Sequence, residues 1–396
     1  MTHADPIVIV GAARTPMGAF QGELSGVTAP VLGSIAIKGA LDRAAVPAAD
    51  VDEVLMGCVL PAGLGQAPAR QASRGAGVPD AAGCTTINKM CGSGMRAAMF
   101  AHDMLLAGSA SVMIAGGMES MSNAPYLLDK ARGGYRMGHG RVMDHMFLDG
   151  LEDAYDKGRL MGTFAEDTAS HYGFTREQQD AFALASLDRA LKATNDGTAA
   201  AEIVPVAIKG RKGDTLIEAD EQPRNARPDK IPTLKAAFRD GGTVTAANSS
   251  SISDGAAALV MMRRSEADRR GLTPLATILG HATDARAPAW FTTAPVGAME
   301  KLLTKVNWSL ADVDLWEINE AFAVVTMAAM HDLQIAHEKV NVHGGACALG
   351  HPIGASGARI LVTLINALKK YGLKTGVASL CIGGGEATAV ALELAS

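Results

Sequence analysis

The sequence predicts an α/β fold made of two similar halves, with an unrelated segment inserted between them. Short apolar runs of β character at residues 8–10 and 54–56 alternate with segments of helical period at residues 30–45, 94–106 and 357–370. This alternation is typical of α/β layers in which the strands are mainly parallel. A weak internal repeat and one long stretch rich in charge, glycine and proline are the other observations behind the prediction.

The composition is that of a globular protein large enough for two or three domains. Of the 396 residues, 48% are hydrophobic and 19% are charged, and the formal net charge is -5. This charge balance argues against general nucleic-acid binding. No stretch is long and apolar enough to span a bilayer, and residues 1–6 lack the basic start and apolar core of a signal peptide. We therefore expect a cytoplasmic protein without a membrane or nucleic-acid partner.

The 5 cysteines indicate a reducing compartment and not a disulfide framework, because they are sparse, odd in number and irregularly spaced. No two of them are separated by only two residues, so we expect no metal site. Cys58, Cys84 and Cys347 show no chemical role in the sequence, and we expect them to be structural filler.

Three short motifs recur in the same order in the first and the second half of the chain. They are residues 49–54 and 311–316, residues 93–96 and 356–359, and residues 114–119 and 382–386. Each copy of the second motif is expected to open a helix, and each copy of the third to close a strand. Three matches in the same order indicate a duplicated unit.

The segment between the two halves matches neither of them. We interpret it as an insertion that covers the candidate functional site described below. It contains an amphipathic helix at residues 176–193, with Thr175 as the N-cap. We predict three units: an N-terminal half of residues 1–121 plus 246–272, an inserted loop domain of residues 122–245, and a C-terminal half of residues 273–396.

Cys91 is the candidate nucleophile. It precedes the small residues that open the helix of the first half, where the helix dipole and unpaired N–H groups favour a thiolate. Gly92 and Gly94 carry no side chain, so a bulky substrate can approach the sulfur. For a single cysteine the alternative is a buried apolar filler, and the motifs of the second half argue against it.

Those motifs supply the other groups that acyl transfer needs. His351, followed by Pro352, can accept the proton of Cys91. Cys381 can move a proton at the substrate carbon, since the reference pKa of a thiol lies near working pH. Gly383 opens a run of three glycines whose backbone N–H groups can face an oxyanion. The alternatives are a core histidine for His351 and an inert thiol for Cys381, while Asn319 could be a turn residue.

Together and in this order, these motifs resemble the thiolase family of acetyl-CoA C-acyltransferases, and the resemblance covers essentially the whole chain. It implies two similar halves packed in five layers (αβαβα), with an inserted loop domain that binds CoA and helps to build a homotetramer. It also implies an enzyme of fatty acid metabolism that cleaves 3-ketoacyl-CoA by thiolysis or forms it by Claisen condensation, through an acyl-Cys91 intermediate. CoA and acyl-CoA would be substrates, and no cofactor would be permanently bound.

The resemblance further assigns roles to single residues. One oxyanion hole would use His351 and a water held by Asn319, and the other the backbone N–H groups of Cys91 and Gly383. Glu320 would orient Asn319 or only cap a helix. The residues implied at the CoA and acyl sites are Arg224 near the adenine, Ser250 near the pantetheine, Leu234 and Phe238 at the CoA site, and Met161, Phe291 and Phe322 around the acyl group.

Three positions depart from the pattern of the short-chain members. Leu160 stands where His is frequent, Phe291 where Met is frequent, and Glu386 where Met or Gln is frequent. No catalytic group is lost, and we expect acetoacetyl-CoA and other short 3-ketoacyl-CoAs as substrates. The alternatives are a degradative thiolase for longer chains, a decarboxylating condensing enzyme, which usually lacks the Cys381 motif, and a non-catalytic CoA or lipid carrier on the same fold.

Overall fold

The computed structural model describes residues 5–210 and 213–395. Three short parts of the predicted units lie outside this description: residues 1–4 of the N-terminal half, residues 211–212 of the inserted loop domain and residue 396 of the C-terminal half. The strands are β1 (Ile7–Arg14), β2 (Gly18–Ala19), β3 (Glu53–Gly57), β4 (Gly83–Ile87), β5 (Val112–Ser120), β6 (Tyr126–Leu127), β7 (Met143–Asp144), β8 (Val206–Ile208), β9 (Thr215–Ile217), β10 (Ser253–Arg263), β11 (Ala276–Ala285), β12 (Leu315–Ile318), β13 (Thr375–Ile382) and β14 (Glu386–Leu394). The helices are α1 (Ala29–Ala44), α2 (Pro68–Gly75), α3 (Ser93–Ala107), α4 (Met161–Tyr172), α5 (Arg176–Asn195), α6 (Glu221–Asn225), α7 (Arg264–Arg269), α8 (Ala294–Val306), α9 (Ala323–Leu333), α10 (Ala346–Leu349) and α11 (Ser356–Tyr371).

A 10-stranded mixed sheet runs through the molecule in the order β12-β13-β14-β11-β1-β10-β5-β3-β4, and β2 pairs with β10. β3 pairs in parallel with β4 and β5, and β12 pairs in parallel with β13. The other pairings of this sheet are antiparallel. The prediction of mainly parallel strands is therefore wrong. A tight turn joins β13 directly to β14, and a short turn can join only antiparallel neighbours.

The two halves repeat the same succession of elements, which confirms the duplicated α/β fold. β1, α1, β3, α2, α3 and β5 of the first half correspond to β11, α8, β12, α9, α11 and β13 of the second. β4 corresponds to a single parallel bridge between Trp316 and Val340. The carboxylate of Asp52 accepts a hydrogen bond from the N–H of Val112, and Asp314 accepts the equivalent bond from the N–H of Thr375.

α3 and α11 begin at the repeated motif, as predicted, and they cross at their first turns. A Cβ on Gly94 would lie 2.8 Å from the backbone nitrogen of Ala358, and a Cβ on Gly357 would lie 2.4 Å from that of Met95. Only glycine allows two helices to approach this closely. The crossing brings the segments that precede both helices into one place, where Cys91 and His351 lie.

The third repeated motif is not equivalent in the two halves, which corrects the expectation from the sequence. β5 continues through residues 114–119 to Ser120, whereas β13 ends at Ile382 and a glycine turn follows. β13 ends at Ile382 because the chain turns back there to form β14. No such turn interrupts β5 at residues 114–119.

The inserted segment is held to the sheet by buried charges and contributes α4, α5 and α6. α5 begins at Arg176 with Thr175 as its N-cap, as predicted, and Gln178 completes a capping box. The buried guanidinium of Arg14 on β1 pairs with Glu202 at 2.5 Å and with Asp220 at 2.7 Å. Among the described residues no helix has the length and apolarity that crossing a bilayer requires.

Candidate active site

A largely apolar cavity of about 350 Å³ lies between the two halves and the inserted segment. Its volume is in the range of small-molecule sites in proteins. Its lining residues are Cys91, Phe147, Gly150, Leu151, Leu160, Met161, Gly162, Ala237, Phe238, Ala246, Ser249, Ser250, Ser251, Ile252, Phe291, Ala321, Phe322, His351, Ile353 and Gly383.

The loop between β4 and α3 presents Cys91 to this cavity. Met90 has φ of 49°, which is uncommon for a residue with a side chain and typical of functional sites. The Ser93 hydroxyl accepts a hydrogen bond from the N–H of Lys89 at 2.8 Å and donates one to the carbonyl of Met90 at 2.6 Å. These bonds support the strained turn and fix the position of the sulfur.

The Cys91 thiol is protonated at neutral pH. Burial raises its pKa to about 11, although the backbone N–H groups of Gly383 and of Cys91 itself act in the opposite direction. The expectation that the helix start would favour the thiolate is therefore wrong for the resting protein, because desolvation outweighs the helix end. Nucleophilic attack by this sulfur would consequently need a base beside it.

His351 is a neutral base that lines the same cavity. The Ser356 hydroxyl donates to the carbonyl of Pro352 at 3.0 Å, so its oxygen accepts from His351 Nδ1, 2.5 Å away. The proton of the imidazole is thereby fixed on Nδ1. His351 Nε2 is buried without a hydrogen-bond partner in the described structure, and its lone pair is available. Burial, together with the charge of Arg359, lowers the pKa of His351 to about 3.

Asn319 follows β12 and presents an amide whose hydrogen-bonding capacity is unused. Its side chain is buried, and neither Oδ1 nor Nδ2 has a partner within the described residues. Its backbone N–H donates to the carbonyl of Ser379 at 3.0 Å. Burying an unsatisfied amide costs free energy, so this geometry favours a role in holding a water or a substrate atom.

Glu320 fixes the segment that carries Asn319. Its carboxylate accepts hydrogen bonds from Asn341 Nδ2 at 2.8 Å, from Ser186 Oγ on α5 at 2.7 Å, and from the N–H of Cys347 at 3.0 Å. The bond from the N–H of Cys347 caps the first turn of α10, so capping a helix is part of the role of Glu320. The bond from Ser186 ties the inserted segment to the site.

Cys381 lies behind the cavity wall on β13. It is fully buried in an apolar cluster with Phe291 and Phe322. Burial, and the neighbouring Cys91, raise the pKa of Cys381 well above its usual value. Gly384 and Gly385, with φ of 95° and 96°, form the turn after this strand and bring the Gly383 N–H toward the Cys91 sulfur.

Five of the seven residues expected at the CoA and acyl sites line this cavity: Met161, Phe238, Ser250, Phe291 and Phe322. A second cavity of about 320 Å³ shares Ala246 and Ser251 with the first and is lined by Leu234. Arg224 lines neither cavity, and its guanidinium pairs with Glu23 at 2.6 Å.

Sequence reasoning missed two basic residues and one orienting hydroxyl. Arg227 and Lys230 line the second cavity and place positive charge there. Their spacing of three residues from Arg224 and from each other was the available signal. Ser356, which orients His351, was visible only as the first residue of a helix.

One group of described side chains could in principle hold a metal ion: His102, Asp103 and His281. Both imidazoles, however, lie within hydrogen-bond distance of the same Asp103 oxygen, at 3.0 and 2.9 Å. Burial, and then the charges of Lys305 and Arg96, lower the pKa of His281 despite that carboxylate. We interpret the group as a hydrogen-bonded contact between α3 and β11, outside the cavity. All five cysteines are free thiols.

The chain is similar to known proteins over nearly its whole length. It matches the family description "Thiolase, N-terminal domain" over residues 7–265 and "Thiolase, C-terminal domain" over residues 272–394. Acetyl-CoA acetyltransferase 2 of Arabidopsis thaliana is 51% identical over 98% of this chain and 97% of its own. An acetyl-CoA acetyltransferase of Cupriavidus necator is 49% identical over 98% and 99%.

Solved structures agree with the fold. The acetyl-CoA acetyltransferase of Bacillus anthracis superposes with a TM-score of 0.96 at 42% identity, over 98% of this chain and 99% of its own. A thiolase of Ascaris suum, solved in complex with coenzyme A, superposes with a TM-score of 0.93 at 40% identity, over 98% and 100%.

Proposed function

This chain belongs to the thiolase family, and we propose that it catalyses the reversible thiolytic cleavage of acetoacetyl-CoA and other short 3-ketoacyl-CoAs. The observation that carries the proposal is one cavity in which a thiol, an unpartnered imidazole nitrogen and two backbone N–H groups converge. The names of the relatives favour this reaction over a long-chain thiolase or a silent carrier.

The first step is acyl transfer to Cys91. His351 Nε2 accepts the thiol proton while the sulfur attacks the 3-keto carbon of the substrate. The oxygen becomes an oxyanion, and the N–H groups of Cys91 and Gly383 lie beside the sulfur to receive it. Collapse of this intermediate breaks the bond between C2 and C3 and leaves acyl-Cys91 and the enolate of acetyl-CoA.

The second step is protonation of that enolate. The imidazolium of His351 and a water on the unused amide of Asn319 stabilise the enolate oxygen, and Cys381 donates a proton to C2. The raised pKa of Cys381 supports this role, because a thiol that keeps its proton at neutral pH can act as an acid. CoA then loses its thiol proton to Cys381 and attacks acyl-Cys91, so that the acyl group leaves as acyl-CoA. The Cys91 thiolate is released and regains its proton from the imidazolium of His351.

The two adjacent cavities, which share Ala246 and Ser251, suggest a path for CoA. Ser250, Leu234 and Phe238 would contact its apolar and pantetheine parts, and Arg227 and Lys230 supply charge for its phosphates. The relative from Ascaris suum was solved with coenzyme A, which supports a CoA site in this family. Arg224 stays a proposal near the adenine, and it would have to exchange Glu23 for the ligand.

The acyl pocket is expected to favour a short chain. Met161, Phe291 and Phe322 take up space around the sulfur, and Phe164 meets Phe291 edge-on at 6.2 Å, so the wall behind the pocket is filled. We expect CoA-dependent cleavage of acetoacetyl-CoA to exceed that of a longer 3-ketoacyl-CoA in kcat/KM. A preference for the longer substrate would assign the protein to the degradative group with unchanged chemistry. The Cys91→Ala variant serves as the control.

We also propose a homotetramer in the cytoplasm, built through the inserted loop domain with the boundaries predicted above. The insertion exposes several large apolar side chains to solvent, which supports a subunit contact there: Tyr126, Leu128, Met137, Val142 and Tyr155. Five free thiols fit a reducing compartment. Light scattering on the purified protein tests the tetramer, and a monomeric mass would contradict it.

A further inference from the structure

We propose that the ion pair between Lys89 and Glu386 is a positioning device for the catalytic site, which holds the loop of Cys91 against the glycine turn of Gly383. The ammonium of Lys89 contacts Glu386 Oε2 across 297 residues of sequence. The inference rests on the acyl-transfer function proposed above. It gives a role to Glu386, one of the three positions that depart from the pattern of the short-chain thiolases.

Each partner belongs to a segment that is otherwise well fixed. Lys89 lies two residues before Cys91, and its backbone N–H donates to Ser93 Oγ at the start of α3. Glu386 is the first residue of β14 and pairs with Ile382 across the hairpin and with Ala285 of β11. The side-chain contact therefore connects the nucleophile loop of the first half to the sheet of the second.

The distance between these two segments determines the oxyanion geometry. The N–H of Gly383 and the N–H of Cys91 both stabilise charge at the Cys91 sulfur, and they come from opposite sides of the contact. A hole of this kind works only while both donors are aimed at the developing charge. Movement of either segment would displace one donor relative to the other.

The glycine turn is fixed to the second half of the chain, because the Gly385 carbonyl accepts a hydrogen bond from the N–H of Arg286 at 2.8 Å. Gly384 and Gly385 have φ of 95° and 96° and carry no side chains that could pack. Ile382 packs closely on Gly92 of the nucleophile loop, since a Cβ added to Gly92 would lie 2.4 Å from Ile382 Cδ1. The ion pair of Lys89 with Glu386 adds a polar contact between side chains of the two segments.

The position of the ion pair predicts an effect on turnover without an effect on stability. The side chains of Lys89 and Glu386 are 29% and 36% exposed, and ion pairs of this exposure contribute little to stability. Neither residue lines the cavity, so neither is placed to contact the substrate. Loss of the pair should therefore reduce turnover and leave the unfolding midpoint unchanged.

The test compares Lys89→Met and Glu386→Met with wild type in acetoacetyl-CoA thiolysis. We expect kcat to fall about tenfold in both, less than the loss of a whole oxyanion donor, with KM for CoA changed less than about twofold. The exchanged pair, Lys89→Glu with Glu386→Lys, should recover part of kcat. The matched control is Lys370→Met, which removes a lysine 42% exposed and paired with Asp196 outside the cavity. Its kcat should equal that of wild type.

A second readout needs no substrate. The rate of iodoacetamide alkylation at Cys91, followed by peptide mass spectrometry, should fall severalfold in both single variants, because the Gly383 N–H then stabilises the thiolate less well. If wild type cleaves no 3-ketoacyl-CoA, the proposed function fails, while the alkylation ratio still tests the pair. A kcat within twofold of wild type with unchanged alkylation overturns the inference, and so does a loss that follows a lowered unfolding midpoint.

Discussion

The candidate site contains single buried polar atoms that lack hydrogen-bond partners in the described structure. His351 Nε2 and both amide atoms of Asn319 lie buried without partners in the described structure, although such atoms are normally satisfied. Each of these unpartnered atoms lowers the free energy of unfolding, because water cannot solvate it in the folded state. His351 lines the cavity, and Asn319 lies two residues before Ala321, which also lines it. In the proposed reaction, substrate, water and the transferred proton would satisfy these atoms in turn.

Replacing Cys91 and Cys381 one at a time should distinguish the roles of the two thiols. Replacing Cys381 with Ala removes the acid of the carbon side and leaves the Cys91–His351 pair intact. We expect acetyl-CoA still to acetylate Cys91 while the carbon–carbon step slows by about 10²-fold or more. Radiolabelled acetyl-CoA and steady-state thiolysis measure the two steps. Labelling of a Cys91→Ala variant, or loss of both steps with Cys381, would contradict the assignment.

Alkylation of Cys91 should depend on pH in a way that reports its burial. The pKa of the folded thiol is raised to about 11, so the thiolate becomes more abundant as pH rises toward that value. The alkylation rate should increase about tenfold per pH unit from 7 to 10, without a plateau. In urea-unfolded protein the same rate should level off near pH 9. A plateau below pH 8 in the folded protein would show a thiolate stabilised at rest.

At the scale of elements, the crossing of α3 and α11 places the candidate catalytic residues. Both helices begin with a Ser-Gly pair, and each glycine meets the backbone of the other helix. The loops that precede them therefore converge, and these loops carry Cys91 and His351. The glycine turn between β13 and β14 then adds the Gly383 N–H from the end of β13.

A methyl group at this crossing should be costly. In Gly357→Ala the new Cβ would lie 2.4 Å from the Met95 nitrogen, and backbone cannot move aside as a side chain can. We expect a loss of about 1–3 kcal/mol in the free energy of unfolding. Gly26→Ala is the matched control, since nothing lies within 4 Å of its Cβ position. Urea unfolding measures both, and equal stability of the two variants would refute the steric argument.

At the scale of the whole molecule, buried charges attach the inserted segment to the duplicated core. Arg14 lies on β1, and its two partners, Glu202 and Asp220, come from the insertion. All three side chains are buried, and a buried pair is far more damaging to break than an exposed one. The insertion supplies part of the cavity wall, so its attachment also bears on the site.

Removal of Arg14 should loosen the insertion. Arg14→Met removes the cation that pairs with two buried carboxylates, and we expect a loss of about 3–5 kcal/mol in unfolding free energy. Limited proteolysis should cut faster within residues 122–245. Lys38→Met, which breaks an exposed pair with Asp42, should cost less than about 0.5 kcal/mol. Wild-type stability of the Arg14 variant would contradict this role.

The sequence by itself determined the features that depend on near neighbours. The duplicated α/β plan, the starts of α3 and α11 at Ser93 and Ser356, and the capping box at Thr175 all follow from patterns a few residues long. The catalytic motifs were visible for the same reason, because each is a short run. The places of Met161, Phe238, Phe291 and Phe322 around one cavity came from the family resemblance.

The tertiary structure alone decided what depends on residues distant in sequence. The antiparallel course of β10 and β14, the pairing of Arg224 with Glu23, and the ion pair of Lys89 with Glu386 each join segments that no local pattern connects. Burial also reversed the expectation for the Cys91 thiol, since desolvation is set by every element packed around the sulfur. Local propensity acts over a few residues, whereas solvation and charge pairing depend on which distant segments the fold brings together.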